Sequence, residues 1–172
     1  MRFFAPFVII ITLLGLAVYA WLGGLKTPTV VLETPAAPVL LAGQLYVGPA
    51  DAPAFGNLFR QAQQARDGGG LPGRLANLYR NNPDKARDTV QAFVGIAVAD
   101  SSRPLPPGWR YRVVRAGGRV LAARIAGVSY LLAPGKLYPA ALEQAKTMKL
   151  TQRDFYLEQF GEAEAELWVG VQ

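Results

Sequence analysis

"GPADAPAFGNLF" at residues 48–59 and "GVSYLLAPGKLY" at residues 127–138 decide the fold. Each leaves a run of strand-forming residues on a glycine and enters a helical pattern. Gly48, Ala54, Gly56, Leu58 and Ala62 recur as Gly127, Ala133, Gly135, Leu137 and Ala141 at a constant offset of 79 residues, and Phe59 falls on Tyr138. No gap is needed, so the match reads as an internal duplication. A phosphate-binding loop is the rival reading of the first stretch. It fails because no lysine and no Ser or Thr closes the segment, and the three-glycine dinucleotide spacing is absent. The same joint occurs twice because the fold needs it twice.

Working outward, strands are expected at 39–47, 73–79, 90–98, 109–115, 119–127, 154–160 and 165–171, with "TVVLE" (29–33) a further candidate. Helices are expected at 52–66, where Phe55, Leu58, Phe59 and Ala62 share one face, and at 133–150, where Pro139 suits only a first turn. "RNNPDKARD" (80–88) reads as a polar turn. Ala116-Gly117-Gly118 reads as a hairpin turn between the strands on either side. Each half then runs strand, helix, strand, strand. The expected fold class is α+β: two pseudo-symmetric repeats forming an antiparallel sheet with two helices, preceded by one N-terminal transmembrane helix. Pairing the repeats leaves a groove between them, a natural place for a ligand.

The chain has 172 residues, no cysteine and no histidine. That excludes disulfides, thiol nucleophiles, Ser-His-Asp relays and His- or Cys-based metal sites, so no cofactor or metal is expected. The net charge of +6 is mild. Residues 3–22 carry no charge, and twenty helical residues are about the length that crosses roughly 30 Å of hydrocarbon. A signal peptide cleaved after Ala20 is the alternative. The expected organisation is an anchor at 1–26, a proline-bearing tether at 27–38 and a binding domain at 39–172. Arg2 and the terminal amine against Lys26 favour a cytoplasmic amino end and a domain on the periplasmic or extracytoplasmic side of a single-pass membrane protein.

A family resemblance rests on "LYVGPADAPAFGNLF" (45–59), "LANLYRNNP" (75–83), "AFVGIAV" (92–98), "PLPPG" (104–108) and "YLEQF" (156–160). Together they resemble the GyrI-like effector-binding domain over about residues 29–171, and its subgroup with an N-terminal membrane anchor, which includes a mammalian ER-phagy receptor. The chain departs from the pattern at Ala50, at Gly127-Val128-Ser129, at Asn81 and at Phe160. The resemblance implies a small-molecule-binding domain in which Glu158 matches a glutamate that receives cationic lipophilic ligands.

Strand alternation supplies a face for each residue of the last two strands. Tyr156, Glu158 and Phe160 point one way and Leu157 the other. Glu166 and Trp168 share a face opposite Leu167, Val169 and Val171. Placing the aliphatic set under the helices leaves three aromatics and two glutamates to line the groove, which would suit an amphipathic cation. Candidate ligand contacts are therefore Glu158, Trp168, Tyr156, Phe160 and, from the first half, Tyr46. No catalytic residue is assigned. Arg110, Arg112, Arg115, Arg119 and Arg124 crowd the expected hairpin. They form either a solvated face or a patch for phosphates of lipid or nucleic acid. Nothing resembles a dedicated nucleic-acid fold, so nucleic acid is not an expected partner.

Three functions follow from these residues. The first is a non-catalytic module that binds a small amphipathic molecule and signals to a neighbouring membrane protein. The second is a hydrolase of reactive small molecules with Glu158 as general base, which lacks a second catalytic partner. The third is an adaptor that uses the basic surface.

Overall fold

The computed structural model describes residues 4–83 and 89–172. The end of the polar turn expected at 80–88, and Phe3 of the expected span, lie outside the described residues. The elements are α1 (Phe4–Trp21), β1 (Thr29–Glu33), β2 (Val39–Gly48), α2 (Pro53–Asp67), β3 (Arg74–Tyr79), β4 (Val90–Val98), β5 (Arg110–Val114), β6 (Val120–Ala126), α3 (Ala133–Thr147), β7 (Gln152–Phe160) and β8 (Glu164–Val171). All eight strands join one antiparallel sheet in the order β1-β6-β8-β7-β3-β4-β2-β5.

That order displays the duplication. The strand-helix-strand-strand unit of the first half supplies β2, β4 and β3, and that of the second supplies β6, β8 and β7. The halves meet where β3 pairs with β7. Each half also has a leading strand, and these are exchanged: β1 pairs with β6 of the second half, and β5 pairs with β2 of the first.

The candidate strand at 29–33, inside the stretch read as a tether, forms the edge strand β1. One expectation changes here. The expected hairpin does not form, because β5 and β6 lie at nearly opposite ends of the sheet. A flat sheet would separate them by six strand spacings, about 29 Å. The link from Val114 to Val120 reaches at most about 22 Å. The sheet therefore curls. The equivalent link between β1 and β2 makes the same crossing, and the two links touch where the Gly117 N–H donates to the Pro35 carbonyl at 3.0 Å. Gly43 of β2 and Gly95 of β4 are directly paired on the inside of this curl. A Cβ on either would run into backbone of the other strand, the Val94 carbonyl for Gly43 and the Ala42 carbonyl for Gly95.

Both helices cover the same, outer face. In α3 the buried stripe is Ala133, Leu137, Ala141 and Ala145, at strict four-residue spacing. Its alanines let the helix lie close to β6 and β8. Pro139 stands in the interior of α3 rather than in its first turn. In α2 the buried residues are Phe55 and Ala62. Phe55 packs edge-on against Phe59 and Tyr79, and both helices share one core with Val90, Ala92, Leu167 and Val169.

At the amino end, α1 is a separate helix with large apolar side chains exposed, from Phe7 at 60% to Ile9, Ile10 and Leu14 at 56–60%. Its 18 residues rise about 27 Å. Among the described residues no helix is long and apolar enough to cross a membrane, so the expected transmembrane span at 3–22 is not supported. The end of α1 is held against the joint between β6 and α3. The Ser129 N–H donates to the Leu22 carbonyl at 3.0 Å, and the Lys136 ammonium donates to the Lys26 carbonyl at 2.8 Å.

Candidate ligand-binding site

On the outer face, α2 and α3 leave a gap over the central strands. Strand alternation puts Leu75, Asn77 and Tyr79 of β3 on this face, together with Tyr156, Glu158 and Phe160 of β7. The gap is a cavity of about 440 Å³, within the size range of small-molecule sites. Phe59 of α2 and Tyr138 of α3 wall it from either side, Tyr79 and Phe160 rise from the sheet, and Tyr130 stands at the start of α3.

Glu158 is on the floor, only 5% exposed. The Asn77 amide, 1% exposed and directly opposite in the β3–β7 pairing, donates to its carboxylate at 3.0 Å. The lining is mainly aromatic and apolar but also includes Gln63, Arg66 and Glu162, and Arg66 is paired with Asp67 at 2.8 Å. A buried carboxylate in such a cavity is matched chemically by a lipophilic cation. Such a guest is attracted by the carboxylate's negative charge and sits over π-faces that attract positive charge.

The structure brings together two of the five residues expected in the groove. Glu158 and Phe160 line the cavity. Tyr156 shares their face but is buried beside Tyr138, ring centroids 6.1 Å apart, where burial and the nearby Asp154 push its hydroxyl up from the ordinary value. Tyr46 packs on Phe55 at 4.8 Å and donates its hydroxyl to the Pro49 carbonyl at 2.7 Å, behind α2 rather than in the gap.

Trp168 requires a correction. The β7–β8 register pairs Leu157 with Trp168, Glu158 with Leu167 and Gln159 with Glu166. Paired residues share a face, so Trp168 and Glu166 lie on the inner face, away from Glu158, and Leu167 and Val169 pack under the helices. Alternation within each strand is as expected. The relative phase of the two strands is the reverse, because register is set by pairing and not by either strand alone.

Asn77, which holds Glu158, escaped sequence reasoning, and so did several cavity residues, among them Arg66, Tyr79, Phe59 and Tyr138. A signal for the last two was available. Phe59 and Tyr138 are the echo pair at the 79-residue offset, and the pseudo-symmetry places them on opposite walls of one cavity.

Comparison with known proteins places this geometry among solved folds. No protein-family model and no curated protein matches the chain. Solved structures do. An integron cassette protein from the mobile metagenome of Vibrio cholerae superposes with a TM-score of 0.61 at 12% identity, over 86% of this chain and 97% of that one. The EcmrR C-terminal domain superposes with a TM-score of 0.58 at 12% identity, over 86% and 99%. SAV2435, solved bound to tetraphenylphosphonium, does so with a TM-score of 0.58 at 10% identity, over 84% and 94%. The fold is therefore shared across nearly the whole length of these proteins, and it agrees with the GyrI-like resemblance.

Proposed function

We propose that this chain is a GyrI-like binding module that takes a small amphipathic cation between α2 and α3, with Glu158 as its counter-charge. The observation that carries the reading is the placement of Glu158, buried at the floor of an aromatic-walled cavity. The tetraphenylphosphonium bound to the structural neighbour SAV2435 supports the ligand class.

The test is calorimetric titration of the full chain with tetraphenylphosphonium and with tetraphenylborate, a similarly shaped anion. The cation should bind and the anion should not, and Glu158→Gln should weaken the cation by about tenfold or more. Equal binding of both ions, or an unchanged affinity in Glu158→Gln, sinks the reading. Turnover of an electrophilic substrate that vanishes in the same variant would favour the hydrolase instead.

We further propose that α1 attaches the domain to a lipid surface. Its support is the large apolar side chains that α1 leaves exposed.

A further inference from the structure

The inner face of the curled sheet holds a second cavity, of about 540 Å³, separated from Glu158 by the thickness of the sheet. Its floor is apolar. Leu78 and Val114 are buried there, and Phe155 and Trp168 are half-buried. The Trp168 ring is held in place, because its Nε1–H donates to Glu166 at 2.8 Å.

The rim is cationic, and the charge on this face falls into two zones. In the first, Arg124 binds Glu33 through two hydrogen bonds of 2.6 and 2.7 Å and Glu166 at 2.8 Å, and Arg74 reaches Glu166 at 3.3 Å. These guanidiniums are neutralised. In the second zone Arg80, Arg112, Arg115, Arg119 and Arg153 line the cavity with one carboxylate, Asp154. None of the five makes an ion pair among the described residues.

Arg112 is the most buried of them. It lies 5.5 Å over the Phe93 ring. Burial first, then the charges of Arg80 and Arg110, push its guanidinium below the ordinary range. The other four arginines are exposed, and their like charges gathered over an apolar floor create a positive potential that favours an anion.

We propose that this inner cavity binds a small amphipathic anion. Its carboxylate, phosphate or sulfonate head would lie among Arg112, Arg115, Arg119 and Arg153, and its apolar body on Trp168, Phe155 and Val114. The site is concave and of small-molecule size, which fits such a ligand better than a duplex. The five arginines come together only because the sheet curls. Arg112 and Arg115 approach from β5 and its link, Arg119 from the start of β6, and Arg80 and Arg153 from the ends of the central strands. This site is independent of the Glu158 cavity, and neither requires the other.

The test is calorimetric titration of the full chain with octyl phosphate, inorganic phosphate, octyltrimethylammonium and duplex DNA. Octyl phosphate should bind, more weakly as salt rises. The double variant Arg112→Gln/Arg119→Gln should weaken it by about tenfold or more without lowering thermal stability and with tetraphenylphosphonium binding unchanged. In a Trp21→Phe/Trp109→Phe background, octyl phosphate should shift the emission of Trp168, and Glu158→Gln should leave its affinity unchanged. The proposal is overturned if octyl phosphate does not bind, if the double variant binds it equally well, or if inorganic phosphate or octyltrimethylammonium matches it. Duplex DNA binding in its place, or loss of octyl phosphate binding in Glu158→Gln, would overturn it too.

Discussion

Asn77 and Glu158 face each other in register across β3 and β7, the strands through which the two halves of the molecule meet, and the Asn77 amide donates to the Glu158 carboxylate at 3.0 Å. The carboxylate expected to receive a ligand is thus held by the other repeat. Replacing Asn77 by leucine removes a donor from a buried carboxylate, which should cost about 1–3 kcal/mol. Tetraphenylphosphonium should lower that cost by supplying a counter-charge. The expected result is a lower melting temperature whose deficit shrinks as the cation is added, read by thermal unfolding with and without ligand. A deficit that the cation does not change would detach Glu158 from binding.

Phe59 is half-buried on the α2 wall of the outer cavity, so it can be truncated with less damage than the fully buried Tyr138. Phe59→Ala should weaken tetraphenylphosphonium by about threefold to tenfold, the range of one lost aromatic face over a cation. Octyl phosphate affinity should not change. Equal losses for both probes would point to a general loss of structure.

The facing glycines Gly43 and Gly95 let β2 and β4 approach on the inside of the curl. Gly95→Val would set a branched side chain against the Ala42 carbonyl. It should destabilise the fold by several kcal/mol, about the exceptional end of single substitutions. Urea unfolding measures this. Gly117→Ala sits in open space but at φ +85°, so its cost should come from backbone strain alone, about 1 kcal/mol.

The bidentate Arg124–Glu33 pair joins the edge strand β1 to β6, and the guanidinium holds the Glu33 carboxyl below its usual range. The folded protein therefore binds that proton more weakly than the unfolded chain does. The stabilisation is full above the ordinary carboxylate range of about 4.3 and is lost as pH falls through the lower folded value. Both side chains are about a third exposed, 31% and 33%, so the contribution should be below about 1 kcal/mol. Glu33→Gln should lower stability at neutral pH by that amount and flatten this part of the acid unfolding profile. An identical profile in the variant would remove Glu33 from it.

The exposed apolar sides of α1 predict that the chain floats with lipid vesicles. Ile10→Glu combined with Leu14→Glu should abolish flotation without changing the melting of the domain, because these side chains are exposed. Flotation that survives both charges would refute the proposed attachment.

Local patterns carried much of this in the sequence. The echo of Gly48–Ala62 at Gly127–Ala141 marked the duplication, and the spacing of Phe55, Leu58, Phe59 and Ala62 marked a helix. The chain also showed that Glu158 alternates with Leu157. These features depend on residues a few positions apart, whose geometry is fixed by helix and strand repeats. Non-local pairing decided the rest. Ala116-Gly117-Gly118 looks like a hairpin turn, yet it carries the chain from one end of a curled sheet toward the other. Trp168 has the alternation expected of it but lies opposite Leu157, on the face away from Glu158. Pairing likewise set Asn77 against Glu158 and gathered Arg80, Arg112, Arg119 and Arg153 around one cavity. A strand's own sequence determines which residues share a face, and only its partner determines which face that is, because a shift of one residue in register turns the whole set over.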